Sequence, residues 1–423
     1  MEQFNNNNEN EWSPSNPVYG TPVVKEGKKK KSFGKGIIVG VLVTVLVFVI
    51  GGLVAFSMLG KNTNLFSKAT RTKLMMINQL LDKYYYDDID DSDKIEGLYK
   101  GLVESANDPY TVYYTKDEFE DFQISTTGNY AGIGAVLQKN LTTGTVIINK
   151  VYEGSPAEKA GLRKDDEILY ADDNDATKYD LDEFVEFIRG EAGTDVTIKY
   201  VRNGNEKTTV VTRDTITIPS VSYEMLDGNI GYIEITEFAN NTETEFMNAI
   251  NDLKSQGMEA VIFDLRSNGG GLVDTATAML DDILPAGTTV YTVDKKGNRT
   301  DYSSDQENQL KIPTVVLISG YTASASEIFT GAVRDFTWGT IIGTKTYGKG
   351  VVQITVPLSD GSAVKVTTET YYTPKGDEIQ GKGIEPDIEL EYEFLGGEED
   401  EYSLDLDNQV QKAVEVLNGQ LNR

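Results

Sequence analysis

Residues 37–59, IIVGVLVTVLVFVIGGLVAFSML, carry no charge. At about 1.5 Å rise per residue they span roughly 34 Å, enough to cross a hydrocarbon core. A buried helix of a soluble core is rarely so long and so uniformly apolar. A secretory leader has an apolar region of about 7–15 residues and a small-x-small cleavage site. This run is longer and shows no clear Ala-x-Ala, so it reads as an uncleaved transmembrane anchor. Lys25, Lys28, Lys29, Lys30, Lys31 and Lys35 precede it, and basic residues are sparser after it, beginning at Lys61. The basic side stays in the cytoplasm. The expectation is a single-pass protein of the cell membrane, N-terminus inside and everything after residue 60 extracytoplasmic. Residues 1–36, with NNNN and a lysine cluster, read as a disordered basic tail.

Composition then narrows the chemistry. The 423 residues include no Cys and no His. A Ser-His-Asp triad, a Cys nucleophile, an imidazole or thiolate zinc site and a disulfide are all impossible. A general base must be Asp, Glu, Lys, Tyr or a water. The formal charge of -28 repels phosphate backbones, so nucleic acid is not an expected partner. The acidic run Asp87–Asp93 lacks the glycine and spaced Glu of an EF-hand loop, and DDND at 172–175 fails the same template. No metal is expected.

Residues 60–127 read as helical. Leu74, Ile77, Leu80 and Leu81 follow an i, i+3, i+4 stripe, repeated by Ile95, Leu98 and Leu102. Residues 128–213 have a β-rich texture. GIGAVL and TVIINKV precede GSPAEKAGLRKDDEIL, then a helical stripe of Leu181, Phe184, Val185 and Ile188 ending at Arg189-Gly190, then the strand TDVTIKYVRNG. This segment resembles a PDZ domain. PDZ domains add an extended C-terminal peptide to a sheet edge and hold its carboxylate on loop amides. Gly132-Ile133-Gly134 is the matching loop, and a glycine bulge is the plainer reading of it. From 214 to 395 strand and helix alternate, in α/β order. A closing helix over 405–418, with Leu406, Val410, Ala413, Val414 and Leu417 inward, falls in the C-terminal segment 396–423.

Three stretches can carry chemistry. In YTASASEIF a strand ends at Gly320 and a helix begins near 325. A Ser just before a helix exposes its Oγ beside outward-pointing amides, which suits a nucleophile and half an oxyanion hole. Ser324 with Glu327 three residues on is equally a capping box. The bases on offer are Lys345 and Lys349 in GTKTYGKGVVQ. Ordinary lysine near pH 7 is neutral in only about one molecule in two thousand. Burial between Gly348 and Gly350 would raise that fraction. Gln353, four residues on, could orient the amine. A surface lysine in a turn is the competing reading. DLRSNGGGLVD adds three glycines after a buried strand, a tight turn or a further amide donor.

Taken in order, SPAEKAGL, DLRSNGGG, TASASEI, TYGKGVVQ, TPKGDEIQGKGIEPD and DNQVQKAV resemble the carboxyl-terminal processing peptidases, tail-specific serine peptidases with a Ser-Lys dyad. The resemblance covers roughly residues 70–418. It implies a crotonase/ClpP-like α/β peptidase core with an inserted PDZ domain. It implies Ser324 as nucleophile rather than Ser326, Lys349 as base rather than Lys345, and Gln353 as its orienting partner. It further implies backbone oxyanion donors at Ala325 and Gly270, and a link from peptide binding to the active site through Arg189. Thr322 replaces a usual Ser, Ser319 a frequent Asn, and PYTVYYTKDEF departs from an Asp-Pro-His-Ser form while keeping Asp108-Pro109. No cofactor is implied. Proteins or peptides with accessible C-termini would be the substrates, and the helical ends would make a homodimer. An idle membrane-anchored PDZ scaffold is the alternative from another class. An acidic-dyad hydrolase ranks last, since no carboxylate pair stands out.

Overall fold

The structure, a computed structural model, describes residues 65–305, 307–397 and 400–422. The expected tail and the apolar run 37–59 lie outside the described residues. Among those described, no helix is long and apolar enough to cross a membrane.

The chain divides after Asp90. The first unit holds α1 (Lys68–Tyr84), which Ser67 caps by accepting the Thr70 amide at 3.1 Å. The expected stripe of Leu74, Ile77, Leu80 and Leu81 is present but exposed.

The second unit begins with α2 (Asp91–Glu104), β1 (Val112–Tyr114) and α3 (Lys116–Thr127). Ile95, Leu98 and Leu102 of α2 are likewise exposed. Next comes the β-rich module. Its strands are β2 (Asn129–Gly132), β3 (Ala135–Lys139) and β4 (Val146–Val151), and the short α4 (Pro156–Lys159) follows. Then come β5 (Glu167–Ala171), β6 (Asn174–Asp175), α5 (Leu181–Ile188), β7 (Asp195–Arg202), β8 (Asn205–Thr212) and β9 (Asp214–Thr217). The sheet order is β3-β4-β5-β7-β8, and β2 pairs with β9 in a separate ribbon. Asn203 and Gly204 both take positive φ, which the two-residue turn between β7 and β8 requires. Phe184 and Ile188 of α5 pack on Val146, Ile148, Ile168, Val196 and Ile198.

The core domain follows as β10 (Val221–Leu226), β11 (Ile230–Ile235), α6 (Thr242–Ser255), β12 (Ala260–Asp264), α7 (Val273–Asp281), β13 (Gly287–Asp294) and β14 (Arg299–Ser304). It continues with β15 (Thr314–Ile318), α8 (Ala325–Phe336), β16 (Thr340–Gly343), β17 (Val351–Pro357), β18 (Ala363–Tyr372), β19 (Ile388–Glu389) and α9 (Asn408–Gln420). The main sheet has the order β10-β11-β12-β15-β16-β19, parallel except for the β10–β11 pair. Every residue of β12 and β15 is buried. Apolar side chains fill both faces, as a covered parallel sheet requires. Val261, Phe263, Val316 and Ile318 meet α6, α7 and α8. Ala260, Ile262, Val315 and Leu317 meet Val410, Ala413 and Leu417 of α9. The second sheet runs β1-β18-β13-β14, with β17 also on β18. The region read as helical, 60–127, also contributes the edge strand β1.

A buried ion network joins α9 to the main sheet. Arg266, just past β12, donates to Asp264 and, through Nη1, to Asp407 at 2.7 Å and Gln409 at 2.9 Å. Asp407 in turn accepts the Gln409 and Val410 amides that begin α9. Removing one member leaves buried charge unmatched, at a cost of about 3–5 kcal/mol. Arg266→Met is therefore expected to destabilise the protein by about 3 kcal/mol or more in urea unfolding.

Candidate active site

β15 ends at Ile318 and α8 begins at Ala325, so the intervening turn delivers Ser324 to a helix N-terminus. Its φ of 56° and ψ of -118° lie in a region that glycine favours and side chains avoid. Such strain costs on the order of 1–3 kcal/mol and gathers at functional sites. Ser324 and Glu327 pair at the helix start as the expected capping box has them. The Ser324 amide donates to Glu327 Oε2 at 3.0 Å. The Glu327 amide, however, goes to the Ser324 carbonyl at 2.8 Å. Among the described residues the Ser324 hydroxyl makes no cap bond and keeps its freedom. Ser326 has no such freedom, because its buried Oγ donates to the Asn268 carbonyl at 3.0 Å.

Glu327 is buried, and its carboxylate collects four donors. Besides the Ser324 amide it accepts the Thr346 hydroxyl at 2.6 Å and the Gly348 and Lys349 amides at 2.8 Å. Burial pushes the carboxyl above its ordinary pKa, against the pull of those bonds. Ser324 and Lys349 therefore hang their backbones on one oxygen, Oε2. Tyr371 repeats the pairing, with its hydroxyl on the carbonyls of both Ser324 (3.0 Å) and Lys349. The glycines beside Lys349 permit close approach. A Cβ on Gly350 would lie 2.3 Å from the Gln380 amide nitrogen.

Lys349 is half-buried, and desolvation first, then Lys365, pulls its ammonium below the ordinary lysine pKa. Asp108 and Glu327 pull the other way without overcoming this. Lys345 instead lies at the surface, paired with Glu385 at 2.8 Å.

The remaining expected residues fall unevenly. Ala325 stands first in α8, where an amide has no helical partner. Gly270 abuts Ser324 so closely that an added Cβ would lie 2.7 Å from the serine Cβ. Its amide, though, donates to Asn268 Oδ1 at 2.8 Å, so the expected oxyanion donor at Gly270 is already engaged. Its contribution is the missing side chain. Gln353 follows a bulge at Val352, and its amide nitrogen donates to the Val351 carbonyl and Thr367 Oγ1. Among the described residues no hydrogen bond joins it to the Lys349 amine, so direct orientation of that amine is not what the structure provides. Asp108 and Tyr110 line Lys349 instead. The pair Asp108-Pro109 had marked that stretch, though not as chemistry.

In the β-rich module a groove of about 180 Å³ is lined by Tyr130, Ile133, Leu137, Val185, Ile188 and Arg189. Gly132 and Gly134 flank the buried Ile133 at its end. Gly134 takes φ 77°, and a Cβ there would meet Ser155 at 2.5 Å. Arg189 pairs with Asp121 of α3 at 3.1 Å and with Glu186 at 3.2 Å. Its link thus runs to α3, not to the Ser324 turn.

Comparison with known proteins adds three domain matches. Residues 229–390 match peptidase family S41, 147–202 a PDZ domain, and 57–118 the N-terminal domain of the activating protease CtpB. A probable CtpA-like serine protease of Staphylococcus epidermidis is 34% identical over 360 residues, covering 84% of this chain and 72% of the relative. Its counterpart from Staphylococcus aureus is 33% identical over the same length and coverage. Among solved structures, a photosystem II D1 C-terminal processing protease aligns at 30% identity with a TM-score of 0.45, over 76% of this chain and 88% of that one.

Glu327→Gln tests the hub directly. A carboxamide replaces one acceptor oxygen by an NH2 group, so about two of the four donors lose their partner at about 1–3 kcal/mol each. The expected outcome is a loss of about 3 kcal/mol or more in chemical unfolding.

Proposed function

The chain belongs to peptidase family S41, and on that premise we propose that it is a membrane-anchored serine endopeptidase acting outside the cytoplasm on protein C-termini. The PDZ domain presents its groove for a substrate's terminal residues, with Gly132, Ile133 and Gly134 as the carboxylate loop. Ser324 is the nucleophile and Lys349 the general base. The observation that carries this reading is the shared anchoring of their backbones on Glu327 Oε2 and Tyr371, with Lys349 shifted toward its neutral form.

The chemistry follows from those atoms. The neutral Lys349 amine takes the Ser324 Oγ proton as Oγ bonds to the scissile carbonyl carbon. The carbonyl oxygen gains charge beside the Ala325 amide, the donor this helix start offers. The carbon–nitrogen bond then breaks and the Lys349 ammonium returns its proton to the leaving amine. Water, deprotonated by the same amine, attacks the acyl carbon, the carbon–Oγ bond breaks, the Lys349 ammonium returns the proton to Oγ, and a new C-terminus leaves.

The anchor rests on the run 37–59 and its flanking lysines. The exposed stripes of α1 and α2 support a homodimer, since contiguous exposed apolar surface marks interaction sites.

Ser324→Ala and Lys349→Ala should each lower cleavage of a quenched peptide about a thousandfold or more, with unfolding midpoints near wild type. Equal cleavage by all three proteins would refute the dyad. A serine-directed phosphonate should label wild type and spare Ser324→Ala. In the wild type, kcat/KM should rise with pH through a limb below the ordinary lysine value of 10.5, because only the free amine is a base. Release of the protein from membranes by high salt alone, in cell fractionation, would sink the anchor.

A further inference from the structure

The residues between α2 and β1 close on Lys349. The Tyr110 ring centroid lies 4.9 Å from Lys349 Nζ. Burial first, then Tyr347, pushes the Tyr110 phenol above its ordinary pKa, and Gln380 pulls the other way. Gln380 Oε1 also accepts the Gly350 amide at 2.8 Å, one residue beyond the lysine. Tyr347 and Gln380, the neighbours of the phenol, thus lie on or against the stretch of backbone that carries the amine.

Asp108 fixes the ring's own backbone. It accepts the Tyr110 amide at 3.1 Å and the Thr111 hydroxyl at 2.6 Å. Thr111 Oγ1 accepts the Thr367 amide of β18 at 3.1 Å, and β1 then pairs with β18, Val112 opposite Lys365. Lys365 donates to the Tyr114 hydroxyl at 2.6 Å and sits 5.1 Å from the rings of Tyr114 and Phe122. The charged and titratable groups around Lys349 are therefore Asp108 and Tyr110 ahead of β1, Glu327 of α8, Tyr347 on its own loop, and Lys365 and Tyr371 of β18.

We propose that Tyr110 is a positioning residue for the base. Its ring face receives the positive charge that Lys349 acquires on taking the Ser324 proton. This rests on the dyad reading and deepens it. The negative face of an aromatic ring attracts a cation without having to reorganise when the charge appears. The contact therefore favours the charged lysine of the transition state. Of the flanking charges, Asp108 favours the ammonium and Lys365 opposes it.

The test is the pH profile of peptide cleavage by the detergent-solubilised full chain. Tyr110→Leu should lower kcat about tenfold while leaving KM nearly unchanged, the effect of losing a desolvated cation–π contact. Tyr110→Phe keeps the ring and should stay within about threefold of wild type. Asp108→Asn removes a negative charge, so the acidic limb should move to lower pH. Lys365→Gln removes a positive charge, so the limb should move to higher pH. A Tyr110→Leu enzyme with wild-type kcat, or a change confined to KM, overturns the ring's role. Charge variants whose limbs stay put or move together overturn the electrostatic part, and this reading stands even if Tyr110→Leu fails to fold. Lys349→Ala separates the two levels. Full activity there removes the dyad itself, whereas an inactive Lys349→Ala beside an unaffected Tyr110→Leu removes only the platform.

Discussion

One buried carboxylate holds the site together. Glu327 lies in the first turn of α8, yet three of its four donors come from residues 346–349. A carboxylate at a helix N-terminus is favoured by the helix dipole, which offsets part of its desolvation. The four donors offset more. The result is a fixed distance between two loops that separate strands of the main sheet would otherwise leave independent. The glycine-rich turn at 268–271 then presses on Ser324 from the other side.

The same economy appears at Lys349. A lysine loses its charge most readily where water is scarce and a second cation is near. Both conditions are met at Lys349, and both come from outside its loop. The edge strand β1 delivers aromatic and acidic neighbours from a part of the chain that lies before the PDZ domain. An S41 core cut from residue 214 onward would lack them.

Much of this was legible in the sequence. The alternation of strand and helix from 214 onward announced an α/β core. The stripe ending in Leu417 announced a helix that packs. Turn chemistry offered Ser324 and two lysines but left a plain cap and a surface lysine open, and the resemblance to the processing peptidases selected Ser324 and Lys349. Other features escaped for physical reasons. Glu327 carries a local capping signal that is indistinguishable from a tertiary one, because its distant partners are backbone amides without sequence identity. Gln353 is displaced by a bulge, which a two-residue alternation cannot foresee. The engagement of the Gly270 amide depends on the rotamer of Asn268. Tyr110 sits in a short connection with no periodicity to read.

The conformation of Ser324 has a consequence for how such a chain can change. Its backbone occupies a region suited to glycine, so the site is held under tension by the surrounding structure. Drift toward glycine at that position would relax the turn and make the molecule sturdier while removing its hydroxyl. On the proposed dyad, descendants that lose the reaction are tougher than their parent, and a lineage can keep the scaffold long after its chemistry is gone.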